Sequence, residues 1–440
     1  MEEKSNKIPD RVDQPSTVIR TRYRWMQKIM LFLVVFGPGL IVMEADNDAG
    51  AVSTYTQAGA QYGLHMLWVL LLLLPITYFS QEMVARLGIA TGKGHATMIY
   101  RRFGKWWGRF SVFDLQLLNF LTLVTEFAGI NLATSQMKLS PDITVPLVAV
   151  GTIIMVLTAS YRRWESITVF LCLLDIAWII YAIRLGFSFE KITPAAISFF
   201  PSGQGITSSY IFLVIAVVGT TIAPWQLFFQ QSCVADKRLR FSDLGYARLD
   251  TMIGAIFTII VAGCMMIVGY MAVHSAIGYV YKNPAQMATS LGAYFGTIVK
   301  SGLLLLICNA SILGITAVSL SSAWAYAEVM NWPTGLELKP KQAIGFYLIY
   351  ILGVLAAAGL VLIPKAPLQL IIMTVQVLAG IMLPSSMIFL QLLLNDRELL
   401  GNEFVNRPWN NWINWTIIIG LFALSIILAV QVVLPQLFSS

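Results

Sequence analysis

The stretch GPGLIVMEADNDAGAVSTYTQAGAQYG, residues 37–63, decides how this chain is built. It continues the apolar run LFLVVF and leads into LHMLWVLLLLLP, yet it carries Glu44, Asp46 and Asp48 close together near its middle. An ionised carboxylate at mid-bilayer depth costs about 2.5–3.5 kcal/mol even on lenient insertion scales, so such a group faces an interior cavity and meets a counter-charge. On a continuous helix Glu44 and Asp48 would share a face, with Asp46 about 160° away from both. Gly50, following Ala49, is a natural point for the helix to unwind. Freed carbonyls there would join Asp48 as oxygen ligands.

Outward from that stretch, apolar segments recur along nearly the whole chain. The 440 residues are 57% apolar and 12% charged, against roughly 45–50% and about 25% in soluble domains. Eleven spans are expected, near residues 29–61, 66–90, 110–134, 143–160, 167–187, 208–233, 250–275, 291–327, 343–361, 367–394 and 411–436. The chain therefore reads as an all-α polytopic membrane protein with 11 transmembrane helices. The first 28 residues are polar and lead into a retained first helix, since no small-residue cleavage site follows.

The net charge of +7 does not point to nucleic acid, because the basic residues sit in short connectors. With the N-terminus inside and an odd number of spans, only Lys138, Arg184, Lys191, Lys282, Lys300 and Lys365 of the 29 basic residues fall outside. That asymmetry supports a cytoplasmic N-terminus and an external C-terminus. Cys172, Cys233, Cys264 and Cys308 form no CxxC pair and imply neither a disulfide framework nor a thiolate metal site.

Span six repeats the irregularity of span one. It carries GTTIAPWQ, residues 219–226, with Pro224 near its centre. Two interrupted spans at corresponding positions point to a 5+5 inverted repeat with the binding site at its interface. The expected division is a tail at 1–28, a first repeat at 29–187, a second at 208–394, and a connector with the eleventh helix at 395–440. No lysine or arginine is expected at the depth of the acids, so their counter-charge is a cation or a proton. Oxygen ligands suit hard ions such as magnesium and manganese.

Residues 37–63 resemble the first helix of the natural-resistance-associated macrophage protein family of divalent metal transporters, and GTTIAPWQLFFQQS, residues 219–232, resembles its sixth. TEFAGI at 125–130 is similar to its third. The resemblance implies the fold of the amino-acid and sodium symporters, with helices 1 and 6 discontinuous. It places Asp48 on the family's metal-binding aspartate and Thr220 on a position whose carbonyl joins the site, with Gln376 on a nearby glutamine. Gly50 and Pro224 keep the helix-breaking positions.

The departures carry the selectivity argument. Ala51 stands where the family has an asparagine ligand, and Ala223 where it has a thioether. Trp225 and Gln230 replace two histidines implicated in proton handling, and neither titrates near neutral pH. Losing a soft sulfur relaxes the filter against hard cations, and smaller side chains leave room for a partly hydrated ion. The pattern resembles the family's magnesium-transporting branch, with manganese also accepted. Glu126 survives as a candidate coupling group.

The expectation is a secondary transporter taking up Mg2+ and Mn2+ without proton coupling, monomeric in a prokaryotic plasma membrane. No enzymatic activity, cofactor, nucleic acid or obligatory protein partner is expected. A proton-coupled Mn2+/Fe2+ importer and a sodium-coupled organic-solute symporter are the alternatives. Asp175 is, with Glu126, a further intramembrane acid, whereas Asn119, Gln116, Asn309, Thr316, Ser319, Ser321 and Ser322 are polar groups in apolar spans whose expected role is mainly helix–helix hydrogen bonding, with Thr316 and its neighbours a candidate lining of the ion path. His65, His95 and His274 lack paired ligand spacing and are expected to be structural or solvated.

Overall fold

The computed structural model describes residues 36–158, 160–186, 207–275 and 279–433. The expected tail, residues 1–28, and the first seven residues of span one lie outside the described residues. Everything described is helix, turn or connector, without strands.

Span one is two short helices, α1 (Pro38–Glu44) and α2 (Ala49–Tyr62), with Ala45–Asp48 unwound between them. A 3-10 turn leads into α3 (Leu67–Thr91), and the short α4 (His95–Phe103) precedes α5 (Lys105–Gln136). Then follow α6 (Pro141–Thr158) and a fifth span bent at Asp175 into α7 (Tyr161–Leu174) and α8 (Ile176–Arg184). Span six splits into α9 (Ser208–Thr221) and α10 (Pro224–Asp236). The remainder comprises α11 (Leu244–Ser275), α12 (Pro284–Phe295), α13 (Thr297–Val329), α14 (Ile344–Val361), α15 (Leu368–Leu394), α16 (Arg397–Phe404) and α17 (Pro408–Val433).

The order matches the eleven expected spans, with corrections at their edges. Span eight was expected to run unbroken over 291–327. Gly296, at φ 95°, instead separates α12 from α13. Such positive φ is costly for side-chain-bearing residues and open to glycine, so the break sits there.

Burial sorts the helices into layers. Residues on α1, α2, α9, α10 and most of α13 are buried, whereas α6, α7, α8 and α17 expose Ile143, Leu147, Phe170, Ile183, Ile419 and Phe422. Large apolar side chains on an outer ring are what lipid contact requires. The broken helices are therefore central, where other helices can satisfy their freed backbone.

Small residues let the central helices touch. A methyl group at Gly59 of α2 would overlap the Met266 carbonyl of α11, and one at Gly269 would overlap the Thr56 carbonyl of α2. Packing backbone against backbone replaces a hydrophobic drive that lipid does not supply. Asp250 of α11 adds a polar tie, its Oδ2 accepting the Gly39 amide at 2.7 Å and its Oδ1 the Leu40 amide at 3.2 Å. These are orphan N–H groups of the α1 N-terminus, and a carboxylate there also meets the favourable dipole end.

His95 was read as structural or solvated, and it is structural. It is buried, its Nδ1 lies 2.9 Å from Gln231 Oε1, and its ring meets Phe228 edge-on. Burial lowers its pKa from 6.5 to about 4, so below pH 6.5 the unfolded chain binds the proton first. Stability contributed by the neutral ring is complete above pH 6.5 and is lost as pH falls toward 4. Melting temperatures in detergent should drop across that window, and His95→Gln should flatten the drop. Gly269→Leu should destabilise the fold by about 1–3 kcal/mol or more through overpacking, measured as a lowered melting temperature with reduced monodisperse yield.

Candidate functional site

Two interruptions build the site. In the first, the backbone bond from Ala45 N to Ile41 O closes α1, and Asn47 N turns back to Glu44 O at 3.0 Å. Asp48 then caps α2, its Oδ1 accepting the Ala51 amide at 2.8 Å. Unwinding therefore falls at Ala45–Asp48 and not at Ala49 and Gly50, which are already helical. The reason is the cap, because an aspartate before the first turn satisfies an amide that an alanine cannot.

A second carboxylate reaches the same helix end. Glu126 of α5 accepts the Ala49 amide on Oε2 at 3.1 Å. Gly314 of α13 makes room for both acids, since a methyl there would lie 2.5 Å from the Glu126 carboxyl oxygen and 3.0 Å from Asp48 Cβ. Two carboxylates thus share the positive end of α2, which helps hold them in an apolar interior.

The second interruption runs through Ile222 and Ala223. Ile222 N closes α9 on Val218 O at 3.1 Å, and the Ala223 amide is taken by the Gln226 side chain at 3.1 Å. Gln81 of α3 holds that same Gln226 oxygen at 3.2 Å. Pro224 opens α10, where its missing N–H costs nothing.

Gln376 of α15 joins the two breaks. Its amide nitrogen abuts the Cα of Gly50, where a methyl would also lie 3.1 Å from Asp48 Oδ1, and its backbone carbonyl lies against Gly219 of α9. Tyr55 of α2 ties to Thr221 of α9 at 2.8 Å. The Gln376 Nε2 and Thr220 Oγ1 atoms are buried without a hydrogen-bond partner. Asp46 faces Gln226 across the gap, within electrostatic reach of it and of Asp48, with its Oδ2 unpartnered. The structure thus brings Asp48, Asp46, Gly50, Gln376, Thr220, Ala223 and Glu126 around the meeting point of two broken helices.

Comparison with known proteins agrees with this architecture. A family model described as natural resistance-associated macrophage protein-like matches residues 39–431. The chain belongs to that family. The divalent metal cation transporter MntH of Staphylococcus saprophyticus is 27% identical over 454 residues, covering 97% of each chain. A MntH of Staphylococcus aureus is 25% identical over 448 residues, with 96% of each covered. Among solved structures, an Eremococcus coleocola manganese transporter superposes with a TM-score of 0.71 at 18% identity, covering 94% of this chain and 89% of that one. The nucleobase-cation symporter Mhp1 superposes at 0.55 and 12% identity, covering 92% and 91%. The fold is thus the inverted-repeat architecture these transporters share.

Set against that family fold, some expected site residues stand apart. Glu44 does not share a face with Asp48; its carboxylate takes Thr258 Oγ1 of α11 at 2.7 Å and Asn47 Nδ2 at 3.3 Å. The unwound backbone rotates the two acids away from each other. Among the described residues, no three His, Cys, Asp or Glu side chains gather into a metal-holding group, so the expected three-acid cluster does not form. Ala51 contributes its amide to Asp48 and no ligand oxygen. Trp225 packs on Phe229 and accepts Ser321 Oγ at its carbonyl, and Gln230 donates to Thr251 at 3.1 Å. Neither hydrogen-bonds to the first break.

Sequence reading missed Gln226, Gly314, Asn47 and Asp250. Each had a signal, since Asp250 is an acid at the start of a span and Gly314 a glycine inside one. Their importance depends on long-range partners that spacing does not reveal. Gly50→Ala should push its methyl into the Gln376 amide, lowering the melting temperature, and Gln376→Ala on that background should restore part of it. Thermal denaturation of the four-protein cycle should give a coupling energy of about 0.5–3 kcal/mol.

Proposed function

We propose that this chain moves divalent cations across a membrane, magnesium as well as manganese, by alternating access, partly hydrated and without proton coupling. The carrying observation is Asp48 at the meeting of the two breaks, surrounded by oxygen and amide groups and by the small Ala223. Relatives named as divalent metal cation transporters support the class of cargo. A hard cation keeping part of its water shell needs few direct ligands and a roomy site. Asp48 would bind it directly with carbonyl oxygens near Thr220 and Ala223. Coordinated water would reach Gln376, Asp46 and Gln226, whose unpartnered atoms line the gap.

The membrane potential suffices as a driving force, because a divalent ion entering an inside-negative cell gains about 4.6 kcal/mol per 100 mV. Trp225 and Gln230 offer no titrating group on α10, which agrees with uncoupled uptake. The moving parts would be the two five-helix halves, 29–187 and 208–394. We place the N-terminus in the cytoplasm and the C-terminus outside, in a bacterial plasma membrane, with a single copy sufficient. Opening past α1 requires release of Asp250 from Gly39 and Leu40, and of Lys237 Nζ from the Phe36 carbonyl at 2.9 Å and Glu165 at 2.6 Å.

Purified protein in liposomes with trapped indicators tests this reading. Both Mg2+ and Mn2+ should enter without acidification of the lumen, and Asp48→Ala should reduce entry at least tenfold. Manganese entry with acidification and no magnesium entry would reject the selectivity and coupling together. Ala223→Met should shift preference toward Mn2+ by adding a soft ligand, read as a raised Mn2+ to Mg2+ influx ratio.

A further inference from the structure

Glu44 and Asp175 are left over by that mechanism, and they sit on helices α1 and α7 that pack against each other. Glu44 ends α1 and turns to the joint of α1, α7, α11 and α13, where Thr258 and Asn47 hold its two oxygens at 2.7 and 3.3 Å. Asp175 caps the C-terminus of α7 at the bend of span five, its Oδ1 accepting Asn309 Nδ2 at 3.1 Å. Asn309 also donates to the Leu171 carbonyl at 3.1 Å, which fixes the amide plane. The two carboxyls lie within electrostatic reach of each other, and the Cys172 thiol, one turn before Asp175, feels both.

Three oxygens at this joint have no hydrogen-bond partner: Asp175 Oδ2, Asn309 Oδ1 and Asn47 Oδ1. Asp175 and Asn47 are 0% exposed and Asn309 is 6% exposed. Buried oxygens without donors are rare, and each needs an explanation. Helix geometry adds to the negative potential, because α1 and α7 both end here with their carbonyls forward. No lysine or arginine is among the charges that act on either carboxyl. A hydrogen-bonding role alone would be served by neutral amides and would leave these oxygens paired.

We infer that Glu44 and Asp175, with Asn47, Asn309 and Thr258, form a second divalent-cation site distinct from the one at Asp48. Two carboxylates balance one divalent ion, whereas a monovalent ion would leave a net charge buried. Neutral oxygens from two amides and a hydroxyl complete a hard-ligand set. Asp46 stands between the sites, with Asp48 and Glu44 both among its charged neighbours. Acids thus extend from Glu126 through Asp48, Asp46 and Glu44 to Asp175. Ions could exchange between two weak positions along them and need not dwell in one deep well. The inference rests on divalent-cation binding by this chain.

Equilibrium dialysis of the full-length protein in detergent against Mn2+, with unbound ion read by electron paramagnetic resonance, tests it. We expect two ions per chain for the unaltered protein and one for Asp48→Ala. The Glu44→Gln/Asp175→Asn variant should also retain one, and the combination none. Unchanged stoichiometry in Glu44→Gln/Asp175→Asn, or no binding at all in Asp48→Ala, would overturn the second site. Unchanged stoichiometry in Asp48→Ala would instead strike at the proposed transport site, leaving the second to be judged by its own variant. Should the double variant elute as aggregate, Asn309→Leu keeps both acids, and the affinity of the ion remaining in Asp48→Ala should fall about tenfold on adding it. An unaltered affinity there would equally overturn the site.

Discussion

Everything in this molecule is arranged around backbone that must unwind in a place without water. Lipid tolerates a helix because all its polar groups are paired, and it tolerates an interruption only where protein supplies the missing partners. Here the partners come from far along the chain. Asp48 and Glu126 take the first amides of α2, and Gln226 takes the amide of Ala223. Burial of α1, α2, α9 and α10 at the centre of the bundle follows from that need, and so do the glycines that let neighbouring helices close in.

Charge follows backbone. An aspartate that caps a helix is partly stabilised before any ion arrives, and Asp48 gains this from the Ala51 amide. The amides of Gln376 and Gln226 are neutral and hold position without adding charge. The carboxylates at the α2 end are thus already engaged in part by its first amides.

The two interruptions, and the position of Asp48 at the first of them, were legible in residues 37–63 and 219–226, because an acid triplet and a central proline have few readings in an apolar span. The place of unwinding was less legible. Gly50 drew attention as the flexible residue, but flexibility is permission and Asp48 supplied the cause by capping. Glu44 was assigned to the Asp48 site from helical spacing, which fails once the helix breaks between them. Its actual partner, Thr258, is 214 residues away. Gln226 looked like one more polar residue of α10 until its oxygen was found on both Ala223 and Gln81. The split at Gly296 was hidden because both sides of it are apolar.

The crossing of Gly59 with Gly269 fixes α2 against α11 with carbonyls in van der Waals reach and no side chain to slide on. A joint so tight acts as a fulcrum. The arm beyond the unwound residues is α1, seven residues long, or about 10 Å at the rise of a regular helix. Tilting it by about 30° about Ala45 would move its tip by about 5 Å without disturbing the fulcrum. The reach of such a tilt is set by helix length, and lengthening that arm by one turn, about 5.4 Å, would carry its tip further for the same angle.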